Sequence, residues 1–265
     1  MPVGHRVKST DVRFDTKLGT IPEKSAVKHI STGHNNLNMP NSSAVEEKLK
    51  PEGREGDGLA NVAALTSMAI FVGYTFYLIL ASNPKSLSWF AFHPPLQVLA
   101  IGIFVQGILT LQPTSQPKTK AAGLTRHQLY MLITAFPIIT VGTWVIIHNK
   151  NINQREHFTS WHGKIGIISI LWMVGQILIG AGSVWFRGAA FGGGMKAKSL
   201  WKYHRASGYI LLPLFLYAAH LGGAWSTFSN SHASHIMRIL TYTVAPLVAL
   251  IAVYSRVRPS KMRFF

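Results

Sequence analysis

The 265-residue chain has no cysteine and only nine acidic residues. The first absence excludes a disulfide scaffold, a Cys-based zinc site, a cysteine nucleophile and a cysteine-ligated iron–sulfur cluster. The second is uneven. Eight of the nine acids lie in residues 1–57 and the ninth is Glu156. Charge of either sign is scarce, at 13% of residues, against about 25% in an average soluble domain. Yet 26 Lys+Arg leave a formal net charge of +17. A nucleic-acid binder this basic is normally rich in Lys and Arg throughout, with few long apolar runs, so no nucleic-acid partner is expected. Fourteen Phe, 7 Trp and 8 Tyr are out of place in a disordered chain. What remains is a membrane protein, with the lipid bilayer as its solvent.

Residues 1–57 carry nine Lys/Arg against eight acids and show no apolar period. They read as a disordered tail without the apolar core of a cleaved signal peptide. The texture then changes. Charge is absent from 58–84, 86–117, 127–149, 165–186, 206–237 and 239–255. A bilayer core of about 30 Å takes about 20 helical residues to cross. Spanning backbone must satisfy its own hydrogen bonds, so these runs predict helices. We expect an all-α membrane protein with six transmembrane helices, at about 59–82, 92–112, 127–148, 163–186, 204–226 and 235–256. Arg238 must snorkel from the first turn of the last one. SLSWF and SNSHASH read as interfacial loop. The membrane domain covers 58–258, followed by a short basic C-terminus, 259–265. A soluble all-α alternative would have to cover six charge-free stretches in water.

Nine histidines follow the tail. Ionisable groups at membrane depth are functional candidates. His93, His127, His162 and His204 each lie within about one turn of the start of spans two, three, four and five. Alternating span direction puts His93 and His162 at one face and His127 and His204 at the other. In an up-and-down four-helix bundle, helices running the same way are diagonal partners, so each pair can reach one central object. A single histidine at a helix mouth is usually just hydrated. Four of them, paired by parity, suit the axial positions of two haem irons, and the lack of Cys and carboxylate argues against zinc or di-iron. The other cytochrome arrangement, two ligands on each of two helices, fits poorly. His204 and His220 are 16 apart, but no second span carries such a pair.

The segments SWFAFHPPLQVLA, RHQLYMLITAFPIITVGTWVIIHNK, HFTSWHGKIGIISILW and LWKYHRASGYIL resemble the core of the cytochrome b561 family. The six-span, cytochrome b561 domain-containing subgroup is the most similar, over about residues 59–258. The resemblance implies a four-helix haem-binding core of helices 2–5 with two haem b per chain. His93 and His162 would hold the iron on the non-cytoplasmic side, His127 and His204 that on the cytoplasmic side. It implies an ascorbate-dependent transmembrane oxidoreductase. Electrons pass from cytoplasmic ascorbate to monodehydroascorbate or ferric chelates across the membrane.

Ascorbate is an anion, so basic residues flanking the cytoplasmic pair are candidates for its docking or for haem propionate pairing. These are Lys118, Lys120, Arg126, Lys202 and Arg205; the bland reading is topology alone. On the far side, the resemblance also places a histidine at His148. With Lys150, Arg155 and His157 it forms the candidate outer substrate site. His220 reads as structural or as a further outer residue. Gly163, Gly166 and Gly208 leave room beside the histidine mouths, for a macrocycle or for helix packing. Two rivals stay open: a dihaem anchor passing electrons to a partner subunit, and a haem-free transporter using histidines as proton relays. Whether the membrane is a vesicle, endomembrane or plasma membrane, and whether the chain forms a homodimer, is not written in the sequence.

The tail, the second and fourth loops and the C-terminus together hold 21 of the 26 Lys/Arg, so both termini are expected in the cytoplasm. The sequon Asn41-Ser42-Ser43 provides a check. In expressed protein Asn41 should carry no glycan; a glycosidase-sensitive shift mapped to it would reverse the orientation.

Overall fold

The computed structural model describes residues 52–112 and 114–262. The readings of residues 1–51, Asn41 included, and of the last three residues lie outside them. Among the described residues there are helices and no strands. Six are long and apolar enough to cross a membrane: α1 Asp57–Ala81, α2 Pro84–Leu109, α3 Pro117–Ile152, α4 Trp161–Phe191, α5 Gly194–Ala224 and α6 His235–Ser255. All six expected spans are present. Three start earlier than expected, because a charge-free run marks the hydrocarbon crossing and not the helix itself. SLSWF belongs to a 3-10 segment, Pro84–Phe92, that runs straight into the α-helix begun at His93. The basic residues Lys118, Lys120 and Arg126 lie on the first three turns of α3. Part of SNSHASH forms a short helix, Thr227–His232, capped by the Ser226 hydroxyl.

Antiparallel neighbours pack as hairpins: α2 with α3, and α4 with α5. The hairpins meet chiefly where α2 passes α5, while α3 and α4 touch only marginally. A cleft therefore runs between them. α1 and α6 pack closely on each other and bridge α2 and α5 from outside. Their shared core includes Ala64, Phe71, Tyr242, Ala249 and Val253, each under 5% exposed. Gly223 of α5 is needed where α6 packs on it: a Cβ there would lie 2.1 Å from the Tyr242 ring.

Three prolines interrupt spans, and each strands the carbonyl four residues earlier by removing its donor. Pro137 and Pro246 follow π-helical turns, Leu129–Ala135 and Leu240–Val244, which absorb the ring's bulk. At Pro246 the freed carbonyl is that of Tyr242, and His220 Nδ1 donates to it from α5 at 3.2 Å. At Pro213 it is that of Tyr209, which accepts from the Tyr254 hydroxyl of α6 at 2.5 Å. An orphaned buried carbonyl would cost about 1–3 kcal/mol, which these two side chains offset at Pro246 and Pro213.

Helix ends are closed in the same way. Arg238 does not snorkel. It is buried, and its guanidinium donates to the Ala224 carbonyl at 2.6 Å, capping the negative end of α5. Arg256, also buried, donates to Asn61 at 2.6 Å and to the Gln112 carbonyl at 2.5 Å, tying the ends of α6, α1 and α2 together. Asp57 pairs with Arg54 at 3.3 Å and Arg258 at 3.8 Å on the same face.

Residues 52–57, read from sequence as the end of the tail, join this membrane domain. The Glu52 carboxylate accepts from the backbone N–H groups of Ser115 (2.8 Å) and Gln116 (2.7 Å) and from the Ser115 and Thr119 hydroxyls. It thus satisfies orphan donors at the start of α3. These bonds, that of the Gln116 N–H first, hold its pKa down from an ordinary 4.5 to about 2. A depressed carboxylate pKa makes the tether complete above the ordinary range and lost as pH falls through the folded value. Amide exchange at Ser115 and Gln116 should therefore stay slow down to pH 4.5 and accelerate, relative to intrinsic rates, as pH approaches 2. Glu52→Ala should show the fast exchange at every pH.

Candidate functional site

Each hairpin exchanges histidines between its two helices. His93, at the start of the α-helical part of α2, places Nδ1 2.8 Å from the Gly142 carbonyl of α3. His127 of α3 places Nδ1 3.1 Å from the Gly107 carbonyl of α2. His162 of α4 places Nδ1 2.8 Å from the Ala218 carbonyl of α5. A carbonyl only accepts, so each Nδ1 carries the proton and each Nε2 keeps a bare lone pair. The fourth, His204 of α5, differs. Its Nδ1 is buried with no partner among the described residues. Its ring instead lies against Gly180 of α4, where a Cβ would come within 2.9 Å. Gln176 of α4 donates to the His204 carbonyl at 3.1 Å.

The four imidazoles meet in two pairs across the cleft. His93 and His162 have ring centres 5.9 Å apart, and His127 and His204 6.3 Å. One metal ion held axially between two imidazoles separates their centres by roughly 6 Å, with metal–nitrogen bonds near 2 Å on each side. Among the described residues no group of three or more His, Asp or Glu converges. Each pair therefore offers two donors and no more. That fits a metal whose other donors come from a planar macrocycle, and the chemistry of the donor set fits a haem. Along α3, from the His127 end to the Gly142 end, the two pairs lie on the order of 20 Å apart.

Close approach of the rings depends on glycines. A Cβ on Gly222 would sit 2.8 Å from the His162 ring, and one on Gly142 would meet Gln97 and Leu96 at 3.0 Å. Gly142, Gly180 and Gly222 were not among the sequence candidates, nor were the carbonyls of Gly107 and Ala218. Of the glycines singled out, Gly166 has open space around it and lines a cavity. Gly163 lines it too and donates its N–H to the Ser160 hydroxyl, and Gly208 faces Gln176.

That cavity, about 260 Å³, opens beside the His93–His162 pair. It separates the outer candidates. Lys150 and His157 line it; His148 and Arg155 do not. His148 stacks on Trp144 (5.2 Å, 7°) and meets the edge of Trp89 at 5.0 Å. Arg155 is exposed on the α3–α4 loop. At the other face, Arg126 adjoins His127, and the half-buried Lys202 and Arg205 flank His204. Lys118 and Lys120 are exposed on the first turn of α3, about 10–14 Å along the helix from His127. His220 is structural. Its Nε2 accepts from the Trp225 indole at 3.0 Å, and its Nδ1 meets the Tyr242 carbonyl and the Thr243 hydroxyl.

Comparison with known proteins adds an independent finding. The family model described as eukaryotic cytochrome b561 matches residues 92–229, the segment that carries all four histidines. Transmembrane reductase CYB561D2 of Bos taurus is 25% identical over 117 residues, covering 43% of this chain and 52% of that protein. Probable transmembrane reductase CYB561D1 of Mus musculus is 30% identical over 141 residues, 52% of this chain and 58% of that protein. Transmembrane reductase CYB561D2 of Homo sapiens is 23% identical over 197 residues, 72% of this chain and 87% of that protein. The chain thus spans about half the length of the first two relatives and most of the third.

Gly222→Val and Gly180→Val should each displace one imidazole and disable one pair. Iron bound per chain is expected to fall to about half of wild type in either variant, and to near zero in the double variant, by elemental analysis.

Proposed function

The chain belongs to the eukaryotic cytochrome b561 family, and from that premise we propose that it passes electrons across a membrane through two b-type haems. The observation that carries this reading is the pair of histidine pairs facing one cleft at opposite ends, 5.9 and 6.3 Å between ring centres. His93 and His162 would hold one haem, and His127 and His204 the other. A bound b-type haem supplies a one-electron Fe(III)/Fe(II) couple. The protein does the rest. Its Nδ1–carbonyl bonds aim the lone pairs and raise ligand basicity. With two imidazoles offered to each haem, the sites would favour electron transfer over oxygen chemistry.

The Lys/Arg asymmetry supports a cytoplasmic side for the face on which α1 begins. The donor there is ascorbate, which yields one electron and one proton and becomes monodehydroascorbate. Its negative charge is met by Arg126, Lys202 and Arg205, which adjoin the cytoplasmic histidines, with Lys118 and Lys120 as an outlying attractive field. The acceptor on the far side is monodehydroascorbate or a ferric chelate, and it takes the single electron. His148, held between Trp144 and Trp89 at that face, is the candidate acceptor residue there. The relatives' names support the reaction class, a transmembrane reductase, and not these substrates.

The test is an absorption spectrum of purified protein with and without ascorbate. Two b-type haems per chain and rapid reduction by ascorbate are expected. His93→Ala and His127→Ala should each remove one haem and interrupt transfer to a ferric chelate. Colourless wild-type protein would eliminate the proposal. Two haems that ascorbate fails to reduce would point instead to an anchor fed by a partner subunit.

A further inference from the structure

We propose that Lys150 and His157 hold the carboxylate edge of the far-side haem, and that the electron acceptor docks elsewhere. The inference rests on the haem reading of the His93–His162 pair. It starts from the gradient within the 260 Å³ cavity. The two ligand histidines sit in its wall. Ile101, Ile147, Ile170 and Phe215 make it apolar, and Lys150, His157 and Ser160 supply polar groups where the α3–α4 loop closes over it. A b-type haem is an apolar plate with two carboxylates on one edge. It matches a pocket that is apolar deep down and cationic at one rim.

The charge account points the same way. Lys150 lies in the last turn of α3, half-buried, and its ammonium donates to the Glu156 backbone carbonyl at 2.6 Å. An ammonium has three N–H donors, so two remain. Among the described residues Lys150 has no ion pair with a carboxylate. The only acid beyond residue 57 is Glu156, and it meets Lys150 through its backbone oxygen. Its bond to Glu156 is solvent-exposed, so the ammonium stands at the open rim of the apolar cavity, where a haem carboxylate would meet it as a charge-assisted partner. His157 donates from Nε2 to the Asn151 side-chain oxygen at 2.7 Å, which fixes its ring at the same rim, and the doubly protonated ring would present its Nδ1–H to a carboxylate. His148 and Arg155, by contrast, stand outside the cavity lining. A planar guest filling the cavity would cover Lys150 and His157 and leave those two for the acceptor.

The experiment uses the full-length haem-loaded protein in detergent. Two quantities are read without donor or acceptor turnover: the midpoint potential of each haem, and the rate of haem loss to excess apomyoglobin. Lys150→Gln should lower the midpoint of one haem only, since removing a nearby cation favours the ferric state. It should also speed release of that haem by about tenfold, the worth of one charge-assisted hydrogen bond. Lys150→Arg should restore both. His157→Gln should change the same haem in the same direction, and gives a second reading if Lys150→Gln does not fold. His148→Ala should leave both midpoints in place. Unchanged midpoints and release rates, with a raised KM for a ferric chelate, would overturn the proposal and return both residues to the acceptor. Wild-type protein with no haem, or with the far-side haem missing, would instead sink the haem reading on which it rests.

Discussion

A neutral imidazole has one donor and one acceptor, and whatever binds its Nδ1–H decides what its Nε2 can do. In this bundle the binder is a backbone carbonyl on the neighbouring helix of the same hairpin. His93 leans on Gly142, His127 on Gly107 and His162 on Ala218. The bond does two things at once. It pins two antiparallel helices at a set depth, and it turns a lone pair out into the cleft. Each of these carbonyls lies inside a helix, and its second lone pair lets it take the imidazole N–H of the neighbouring helix in addition to its own ladder. His204 departs from the rule. With no partner on Nδ1 among the described residues, it is held by packing against Gly180 and through its backbone by Gln176. The two pairs are thus unequal in how firmly their imidazoles are held and polarised.

The same economy of carbonyls governs the outer pair of helices. Hydrocarbon offers no water to a stranded backbone group. Pro213 and Pro246 strand one carbonyl each, and Tyr254 and His220 answer them from across a helix interface. The proline positions therefore become contacts that tie α5 to α6. Arg238 adds a third tie at the end of α5. The α1–α6 pair has little direct business with the histidines. Its role is to hold α2 and α5, and hence the two hairpins, at a fixed spacing.

Much of this was legible in the residues, for physical reasons that also mark the limit. Charge-free runs report hydrocarbon, so all six crossings could be read. They do not report interfacial helix, so the early starts at Pro84, Pro117 and Gly194 were missed. The four histidines stood out because ionisable groups at membrane depth are rare, and the parity of the spans sorted them into the two pairs that face each other. Their partners did not stand out, since a backbone carbonyl belongs to every residue. Gly142, Gly180 and Gly222 matter through what a missing Cβ admits from another helix, and one sequence holds no record of that. Lys150 and His148 looked alike as outer polar residues two positions apart. On a helix such neighbours point about 200° apart, and only the fold showed which one faces the cavity.

The cleft also has a flank without a protein wall. α3 and α4 follow one another in the chain yet scarcely touch, and both carry large apolar side chains outward, Val141, Trp144, Leu171 and Leu178 among them. A flat, oily guest already dissolved in the bilayer therefore has a lateral doorway between these two helices and need not thread past the loops from water. Order of synthesis gives that doorway a timetable. A helix cannot pack on a partner not yet made, so both hairpins exist before the α1–α6 seam can form. Until α6 arrives, only the slender α2–α5 contact sets the width of the opening. With α6 in place, the α1–α6 pair bridges α2 and α5 as well.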